Sequence, residues 1–452
     1  MGANEALRVA FRTFGCKLNQ VETETLAARF EVAGASIVGP DDGADLVVFN
    51  TCTVTSKAEQ KARREMRLAL RRNPDAVAAV TGCYAELDPE ALAAVAPRTV
   101  VLPGSRKDAL GGMAEALVAA RLEGLDLLDE LRRLAAAASG GLPDPFSFVP
   151  GEARFRSRVQ LKVQDGCDNR CAYCRVCLAR GRSVSLDPDE ALRRATSLAA
   201  AGVPEIVLTG VNLSQYRSGG VGFPGLLELL VRGVPSAAFR VSSYEPDRAD
   251  AAFMGAFSLP GVRPHLHLSA QSGSDRVLRA MGRRYGRDDV LRAAEAARSV
   301  RDDPFLGADI IVGFPGESDD DFRDTVGLLE LMRPAWVHAF TFSPRPGTRA
   351  FDMKPRVPER VAVERAAVVQ AIADRGKLEF ARSRIGKTLV AVVEDGGDEA
   401  VLGDARRVFA TSAEYLKLEV RGVPAGFHGS CACRVIGLSD GDGSADLVSI
   451  FI

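Results

Sequence analysis

Short apolar runs alternate with helical patterns along two long stretches of this chain, and this alternation restricts the fold more than any other feature. In the first stretch the apolar runs cover residues 9–13, 46–49 and 77–80. In the second they cover residues 159–163, 205–208, 239–243, 265–268, 308–312 and 338–342. Strands that alternate with helices form parallel sheets. The sequence therefore predicts an α/β protein with an N-terminal open parallel sheet domain, followed by a central partial (β/α)6 barrel.

The C-terminal part of the chain has a different pattern. Short β-like runs at 388–393, 415–420 and 432–436 are separated by turn residues, as in a small β-barrel. Residues 125–138 have a helical pattern, whereas residues 139–150 are rich in Gly, Pro and Phe, which is typical of a linker. These changes predict an N-terminal domain over residues 6–118, a linker over 119–152, the barrel over 153–384 and a β domain over 385–452.

Composition restricts the compartment and the partners. A hydrophobic content of 46% with 26% charged residues is typical of a globular protein, and no segment approaches the ~20 apolar residues of a membrane span. We therefore expect a cytoplasmic protein with no membrane partner, whose nine cysteines serve as ligands or catalysts in a reducing environment. Because the net charge is −1, a nucleic-acid partner would need a local basic patch.

Three cysteines directly follow the first strand of the predicted barrel. Cys167, Cys171 and Cys174, here called the loop triad, have the spacing C-x3-C-x2-C. Three thiolates can ligate three irons of a 4Fe-4S cluster and leave the fourth iron open for chemistry. The loops after the strands of such a barrel form its active face. The alternative is a structural zinc site, for which Cys177 could supply the fourth ligand.

Three more cysteines each follow a predicted strand of the N-terminal sheet. Cys16, Cys52 and Cys83, here called the sheet triad, come just after the runs at 9–13, 46–49 and 77–80. The carboxyl ends of parallel strands share one crevice, so these three residues are predicted to be neighbours and to hold a second cluster. The alternative for each is an ordinary buried core cysteine.

Motifs around both triads resemble those of the methylthiotransferases, a family of radical S-adenosylmethionine enzymes. The N-terminal motifs are FGCKLNQ at 14–20, NTCTVT at 50–55 and TGCY at 81–84. In the barrel they are the loop triad, QSGS at 271–274, GFPGE at 313–317 and SPRPGT at 343–348, and the tail is similar to a TRAM RNA-binding domain. The first motif with Glu22 and Glu24 resembles the branch that acts on N6-threonylcarbamoyladenosine. The alternatives are the isopentenyladenosine branch and the ribosomal-protein branch.

The resemblance implies two 4Fe-4S clusters, S-adenosyl-L-methionine, and tRNA bound at its anticodon stem-loop. The loop-triad cluster would cleave S-adenosylmethionine, and the sheet-triad cluster would carry the sulfur for a methylthio group inserted at carbon 2 of adenosine 37. An electron donor such as flavodoxin or ferredoxin would be a second partner. One residue departs from the family, since Cys177 stands where its members have proline. A zinc-stabilised RNA-binding module without redox chemistry is the hypothesis from a different class.

Other positions carry weaker predictions, each with an ordinary structural alternative. Residues at the ends of the second and fifth barrel strands are predicted to approach S-adenosylmethionine, or else simply to form turns: Thr209, Gly210, Gly313 and Gly316. Arginines on a basic helix at 57–72 are predicted to contact RNA phosphates, or else to form a solvated face: Arg63, Arg64, Arg67 and Arg71. The side chains of His265 and His267 are expected to point to opposite faces of a strand, with one of them packing inward. Those of Cys431 and Cys433 are also expected to point to opposite faces and therefore to form no metal site.

Overall fold

The computed structural model describes residues 6–138, 144–148, 158–394, 401–402, 405–424, 426–439 and 445–452. These residues form two compact units. The first unit contains the described residues up to 148 together with 165–184 and 343–351, and the second contains the others. The first unit thus extends beyond the predicted domain at residues 6–118 and includes the loop triad. Within the predicted linker at 119–152, residues 139–143 and 149–152 lie outside the described residues.

The first unit is built on a five-stranded parallel sheet with the strand order β2-β1-β3-β4-β5. Its strands are β1 (Arg8–Thr13), β2 (Ser36–Val38), β3 (Leu46–Thr51), β4 (Val77–Gly82) and β5 (Thr99–Val101). Its helices are α1 (Lys17–Val32), α2 (Ser56–Arg72), α3 (Cys83–Leu87), α4 (Pro89–Ala93), α5 (Lys107–Gly112), α6 (Ala114–Leu122), α7 (Leu127–Ala137) and α8 (Val176–Arg180). The three predicted strands are confirmed as β1, β3 and β4, and the predicted helix at 125–138 is confirmed as α7.

Helices cover both faces of this sheet because its central strands are apolar on both sides. Val48 of β3 packs with Phe30 of α1 and Leu131 of α7 on one face. Phe49 of the same strand packs with Met66 of α2 on the other face. Strands buried on both faces are a feature of parallel sheets in α/β proteins, and this burial leaves the strand ends as the accessible edge for chemistry.

The second unit contains the partial barrel. From residue 158 onward its strands and the short strands between them are β6 (Arg158–Lys162), β7 (Gln164–Asp165), β8 (Val184–Ser185), β9 (Glu205–Thr209), β10 (Arg217–Ser218), β11 (Val221–Gly222), β12 (Ala238–Val241), β13 (His265–Gln271), β14 (Phe305–Val312) and β15 (Trp336–Thr341). Two parallel sheets, β6-β9-β12 and β13-β14-β15, are joined by a parallel bridge between Tyr244 and Leu268. All six predicted barrel strands are confirmed.

Helices connect the barrel strands: α9 (Pro188–Ala200), α10 (Phe223–Gly233), α11 (Ala251–Phe257), α12 (Asp275–Met281), α13 (Arg287–Val300) and α14 (Asp319–Met332). Two more helices, α15 (Arg349–Asp352) and α16 (Glu359–Arg382), follow the last barrel strand along the chain. The start of α9 shows how local sequence fixes the beginning of a helix. The Asp187 carboxylate accepts hydrogen bonds from the backbone N–H groups of Asp189 (2.9 Å) and Glu190 (3.3 Å), and Pro188 occupies the first turn. These contacts satisfy N–H groups that have no partner within the helix.

The tail of the second unit is a closed five-stranded barrel. Its five strands are β16 (Thr388–Val393), β18 (Ala405–Ser412), β19 (Lys417–Pro424), β20 (Ser430–Leu438) and β21 (Leu447–Phe451), and a sixth, short strand, β17 (Val401–Leu402), pairs with β18 at the edge of the sheet. The order β16-β20-β21-β19-β18 closes through pairing between β16 and β18. Cys431 and Cys433 are both buried in its core, so the expectation that they alternate between faces is wrong: residues two apart on a strand share a face.

Across the described residues, no helix combines the length and apolar character needed to cross a bilayer.

Candidate metal centre

The sheet triad lies at the carboxyl ends of three neighbouring strands. Cys16 is the N-cap residue of α1 just beyond β1, Cys52 directly follows β3, and Cys83 begins α3 after β4. Because β1, β3 and β4 are adjacent in the sheet, the three thiols come close enough for Cys16 and Cys83 to influence the ionisation of Cys52. The structure therefore brings together the three cysteines that the sequence predicts as neighbours.

Burial keeps two of these thiols protonated. Cys52 and Cys83 are only 4% and 8% exposed, whereas Cys16 is exposed. Burial raises the pKa of Cys52 to about 12, although the backbone N–H of Val54 points at its sulfur from 3.5 Å and opposes this effect. Burial also raises the pKa of Cys83. Buried thiols of this kind release their protons when they bind a metal, and binding of an iron–sulfur cluster would have the same effect.

Gly15, which precedes Cys16, packs so closely against Cys52 that no extra methyl group fits there. Gly15 has a φ of +100°, and a Cβ there would lie 2.4 Å from Cys52 Cβ and 2.5 Å from Cys52 Sγ. The Asn19 amide donates to the carbonyls of Phe14 (2.8 Å) and Thr51 (3.1 Å), which ties the start of α1 to the end of β3. The FGCKLNQ motif thus positions two cysteines at once.

The loop triad lies in a tight turn within the first unit. The N–H of Cys174 donates to the carbonyl of Cys171 at 3.1 Å, and the N–H of Cys167 donates to the carbonyl of Gly181 at 3.1 Å. All three residues are half-buried. Burial raises the pKa of Cys174 to about 12, and the charges of Cys171, Cys177 and Cys167 add to this effect. The structure therefore places Cys177 beside the three predicted ligands.

The spacing of the sulfurs indicates which kind of metal group the triads fit. Four zinc–sulfur bonds of 2.3 Å in a tetrahedron put the sulfurs about 3.8 Å apart. Among the described residues, no three cysteines, with or without Cys177, bring their sulfurs within 4.8 Å of one another. A wider triangle of thiols fits a multi-iron cluster, in which each thiolate binds a different iron. Neither triad therefore holds its sulfurs as a single zinc ion requires, whereas three thiolates are the donor set of a site-open 4Fe-4S cluster.

A buried arginine that no sequence pattern predicted contacts the sheet triad. Arg180, at the end of α8, donates from Nε to the Cys83 sulfur at 3.2 Å. Its other nitrogens bind Glu22 Oε1 (2.8 Å), Asp165 Oδ2 (3.0 Å) and Asn19 Oδ1 (2.8 Å). Burial alone would lower the pKa of Arg180, but Asp165, Cys83 and Glu22 raise it well above its usual value. Arg180 therefore remains a cation against the cysteine.

A second buried arginine explains why the SPRPGT segment belongs to the first unit. Arg345 is 2% exposed and donates to Thr53 Oγ1 at 3.1 Å and to Ser56 Oγ at 2.8 Å. It also forms an ion pair with Glu59. Thr53 directly follows Cys52, so this contact fixes the chain next to a predicted ligand. The SPRPGT motif was noted only as part of the family resemblance, which gave no sign of this partner.

The predicted cofactor-binding positions lie at strand ends of the second unit: Thr209, Gly210, Gly313 and Gly316. A Cβ on Gly210 would lie 2.8 Å from Gln164 Oε1. Gly313 has a φ of +74°, and a Cβ there would lie 2.5 Å from Ala362 Cβ. Packing within the unit is sufficient to require glycine at both places, and contact with S-adenosylmethionine stays a prediction.

The basic helix is confirmed as α2, and its four candidate arginines differ in environment. Arg64, Arg67 and Arg71 are exposed. Arg63 is half-buried, with its guanidinium 5.7 Å from the centroid of the Tyr84 ring and hydrogen-bonded to the Tyr84 hydroxyl. Arg63 thus has a structural partner, whereas the other three are accessible to a phosphate.

A polar group on three adjacent barrel strands was not predicted. His267, Asp309 and His338 bring their ligand atoms within 4.8 Å of one another, and His267 Nε2 lies 3.0 Å from Asp309 Oδ1. His265 and His267 are both buried, so the expectation that only one of them points inward is wrong. As with Cys431 and Cys433, residues two apart on a strand lie on the same face.

The comparisons with known proteins agree with this architecture. Residues 8–104 match the family described as Uncharacterized protein family UPF0004, and residues 161–329 match the Radical SAM superfamily. The threonylcarbamoyladenosine tRNA methylthiotransferase MtaB of Treponema pallidum is 44% identical, covering 85% of this chain and 91% of that protein. The MtaB protein of Thermotoga maritima is 36% identical, covering 85% and 86%.

A tRNA-2-methylthio-N(6)-dimethylallyladenosine synthase from Novosphingobium aromaticivorans is 33% identical, covering 85% of this chain and 86% of that protein. Among solved structures, the radical S-adenosylmethionine methyltransferase TsrM from Kitasatospora setae has a similar fold, with a TM-score of 0.56 at 17% identity, covering 77% of this chain and 74% of that one. The chain therefore belongs to the radical S-adenosylmethionine tRNA methylthiotransferases, in their MtaB branch.

Proposed function

We propose that this chain inserts a methylthio group at carbon 2 of N6-threonylcarbamoyladenosine 37, in the anticodon stem-loop of tRNA. The observation that carries the proposal is that both cysteine triads belong to one compact unit, where Arg180 connects the loop after Cys174 to Cys83. One triad provides a site for radical generation and the other a site for sulfur, and methylthiolation needs both. The MtaB relatives support the choice of nucleoside.

When bound, the two 4Fe-4S clusters and S-adenosylmethionine supply the electron, the 5′-deoxyadenosyl radical, the sulfur and its methyl group. The chain provides their positions. The loop triad offers three thiolates and thereby leaves one iron free for a substrate ligand. In the sheet triad, Cys52 and Cys83 are buried, which excludes water, while Cys16 is exposed and marks the side open to the nucleoside.

RNA binding is assigned to two sets of exposed cations. Arg64, Arg67 and Arg71 lie on the accessible side of α2. On the tail barrel, which we propose to be TRAM-like, the exposed cations are Arg407, Lys417, Arg421 and Arg434. Because the net charge of the chain is −1, such local patches are the means of attracting phosphates. We propose a cytoplasmic enzyme whose second partner is a flavodoxin- or ferredoxin-like electron donor.

Mass spectrometry of tRNA nucleosides tests the substrate. A strain without this gene and without a paralogue is expected to lack the methylthiolated form of threonylcarbamoyladenosine and to regain it with the wild-type gene. Neither Cys16→Ala nor Cys167→Ala is expected to restore it. Persistence of the modified nucleoside in the deletion strain contradicts the substrate. Loss of methylthiolated isopentenyladenosine instead identifies the neighbouring branch.

Cleavage of S-adenosylmethionine separates the roles of the two triads. With purified, iron-reconstituted protein, Cys167→Ala is expected to abolish formation of 5′-deoxyadenosine, since it removes a ligand of the radical-generating cluster. Cys16→Ala is expected to preserve this cleavage and to block sulfur insertion. Equal loss of cleavage in both variants contradicts separate roles. A colourless protein after reconstitution with iron and sulfide would favour the zinc-stabilised RNA-binding module.

A further inference from the structure

We propose that Arg180 is a positioning residue for the sheet-triad cluster, holding a fixed positive charge against Cys83 and thereby strengthening cluster binding and raising its reduction potential. This inference rests on the proposed function, because it takes Cys16, Cys52 and Cys83 as ligands of a 4Fe-4S cluster. It adds a residue outside both triads that links them: α8 begins at Val176, two residues after Cys174, and ends at Arg180.

The guanidinium is held so that one particular nitrogen faces the sulfur. Nε lies 3.2 Å from Cys83 Sγ. Nη1 donates to Glu22 and Asp165, and Nη2 donates to Asn19 and Glu22. The side chain is only 9% exposed. With the planar fork held by three other residues, rotation of Nε away from Cys83 would break several charge-assisted hydrogen bonds at once.

The charges around Arg180 are balanced before any cluster binds. Glu22 is 2% exposed and also forms an ion pair with the buried Lys107, so two cations face two carboxylates, Glu22 and Asp165. Binding of a cluster through Cys83 adds negative charge to this group. Hydrogen bonds to the sulfurs and nearby charge set the potential of iron–sulfur clusters, and a cation favours the reduced, more negative state.

The same contacts connect segments that carry ligands of both triads. Asn19 and Glu22 lie on α1, which begins next to Cys16, and Asp165 precedes Cys167 by two residues. Arg180 therefore binds the helix after one sheet ligand, the sulfur of another, and the strand that leads into the loop triad. A shift of Arg180 would alter the sheet triad at two of its three positions.

The test isolates the sheet-triad cluster in the full-length chain. A parent protein with Cys167→Ala, Cys171→Ala and Cys174→Ala is reconstituted with iron and sulfide, so that the sheet triad is the remaining cluster site. Arg180→Gln and Arg180→Lys are then introduced. The matched control is Arg240→Gln, which removes another buried arginine, 1% exposed, whose hydrogen bonds go to Glu205 and to the carbonyl of Ser412.

Two quantities are measured: the rate of iron loss to a chelator, and the reduction potential from an electron paramagnetic resonance titration. Arg180→Gln is expected to weaken cluster retention by roughly 10–100-fold, as is usual for residues that support metal ligands. It is also expected to lower the potential, by about 59 mV for each tenfold change in the one-electron equilibrium. Arg180→Lys keeps the charge without the fork and is expected to lie between Arg180→Gln and the parent.

Arg240→Gln is expected to reduce thermal stability and to leave both the potential and the iron-loss rate at the parent values. Equal values for Arg180→Gln and the parent overturn the inference. An identical shift in Arg240→Gln also overturns it, because it assigns the effect to general loss of a buried ion pair. A parent protein that binds no iron overturns the sheet-triad cluster itself and, with it, this inference. A parent that binds iron with no response to Arg180 leaves the proposed function standing.

Discussion

Replacement of Gly15 by alanine is expected to remove one cluster and spare the other. The new Cβ would lie 2.5 Å from the sulfur of Cys52, whereas ordinary contact begins at 3.4 Å. The sulfur must therefore move by about 0.9 Å, or the backbone at residue 15 must give way. Distances in metal sites vary by only about 0.2 Å, so a movement of this size takes Cys52 out of bonding range of an iron.

The same substitution also carries a backbone cost. Gly15 has a φ of +100°, where an L side chain costs about 1–2 kcal/mol. Gly34→Ala is the matched control, because Gly34 lies in the same unit with a φ of +94° and its Cβ would approach no atom closer than 3.9 Å. Both variants therefore carry the backbone cost, and Gly15→Ala alone carries the collision with the cysteine.

Iron and sulfide content per chain measures the outcome after anaerobic reconstitution. Gly15→Ala is expected to fall from about eight irons to about four, while Gly34→Ala keeps about eight. Cleavage of S-adenosylmethionine is expected to continue in both. Full iron content in Gly15→Ala would refute the placement of Cys52 as a ligand, and equal iron loss in both variants would attribute the effect to backbone strain.

Three further predictions concern other parts of the chain. The double variant Arg64→Glu, Arg67→Glu is expected to bind tRNA more weakly, and the slope of log affinity against log salt is expected to fall by about one for each lost phosphate contact. The control Arg323→Glu, at another exposed arginine, is expected to leave both unchanged, and an unchanged slope in the double variant would exclude α2 from the RNA interface. Glu205→Gln is expected to lower the free energy of unfolding by roughly 3–5 kcal/mol, measured by urea denaturation, because it leaves two arginines, both 2.7 Å from the Glu205 oxygens, without their anion. A loss below about 1 kcal/mol contradicts the importance of this ion pair. Cys177→Ser is expected to keep full iron content and cleavage, and a loss of iron would make Cys177 a ligand.

The sequence was sufficient to predict the parallel strands and the meeting of the sheet triad. Apolar runs define β1, β3 and β4, and parallel strands of one sheet must end at the same edge. The edge strands β2 and β5 were not predicted because each has only three residues, too few for a recognisable period. Strand β18 was not predicted either, since Arg406 and Arg407 interrupt its apolar pattern.

The residues around the cysteines were less predictable, for a physical reason. Arg180 and Arg345 are buried because distant segments supply their carboxylates and hydroxyls, and no local pattern records such partners. In the sequence, Glu22 was noted only as part of a family motif. In the structure it forms ion pairs with both Arg180 and Lys107. The expectations for His265 and for Cys431 are wrong for a simpler reason: side chains two residues apart on a strand lie on the same face, so each residue shares its face with its partner, His267 or Cys433.

The most direct test of methylthiolation follows a single hydrogen atom. Threonylcarbamoyladenosine-containing tRNA with deuterium at carbon 2 of the adenine is incubated anaerobically with the reconstituted enzyme, reductant and S-adenosylmethionine. Radical insertion at carbon 2 predicts a methylthiolated nucleoside without deuterium, together with 5′-deoxyadenosine that has gained the deuterium. Product nucleoside that keeps its deuterium, or 5′-deoxyadenosine that forms without any, would contradict radical insertion at carbon 2.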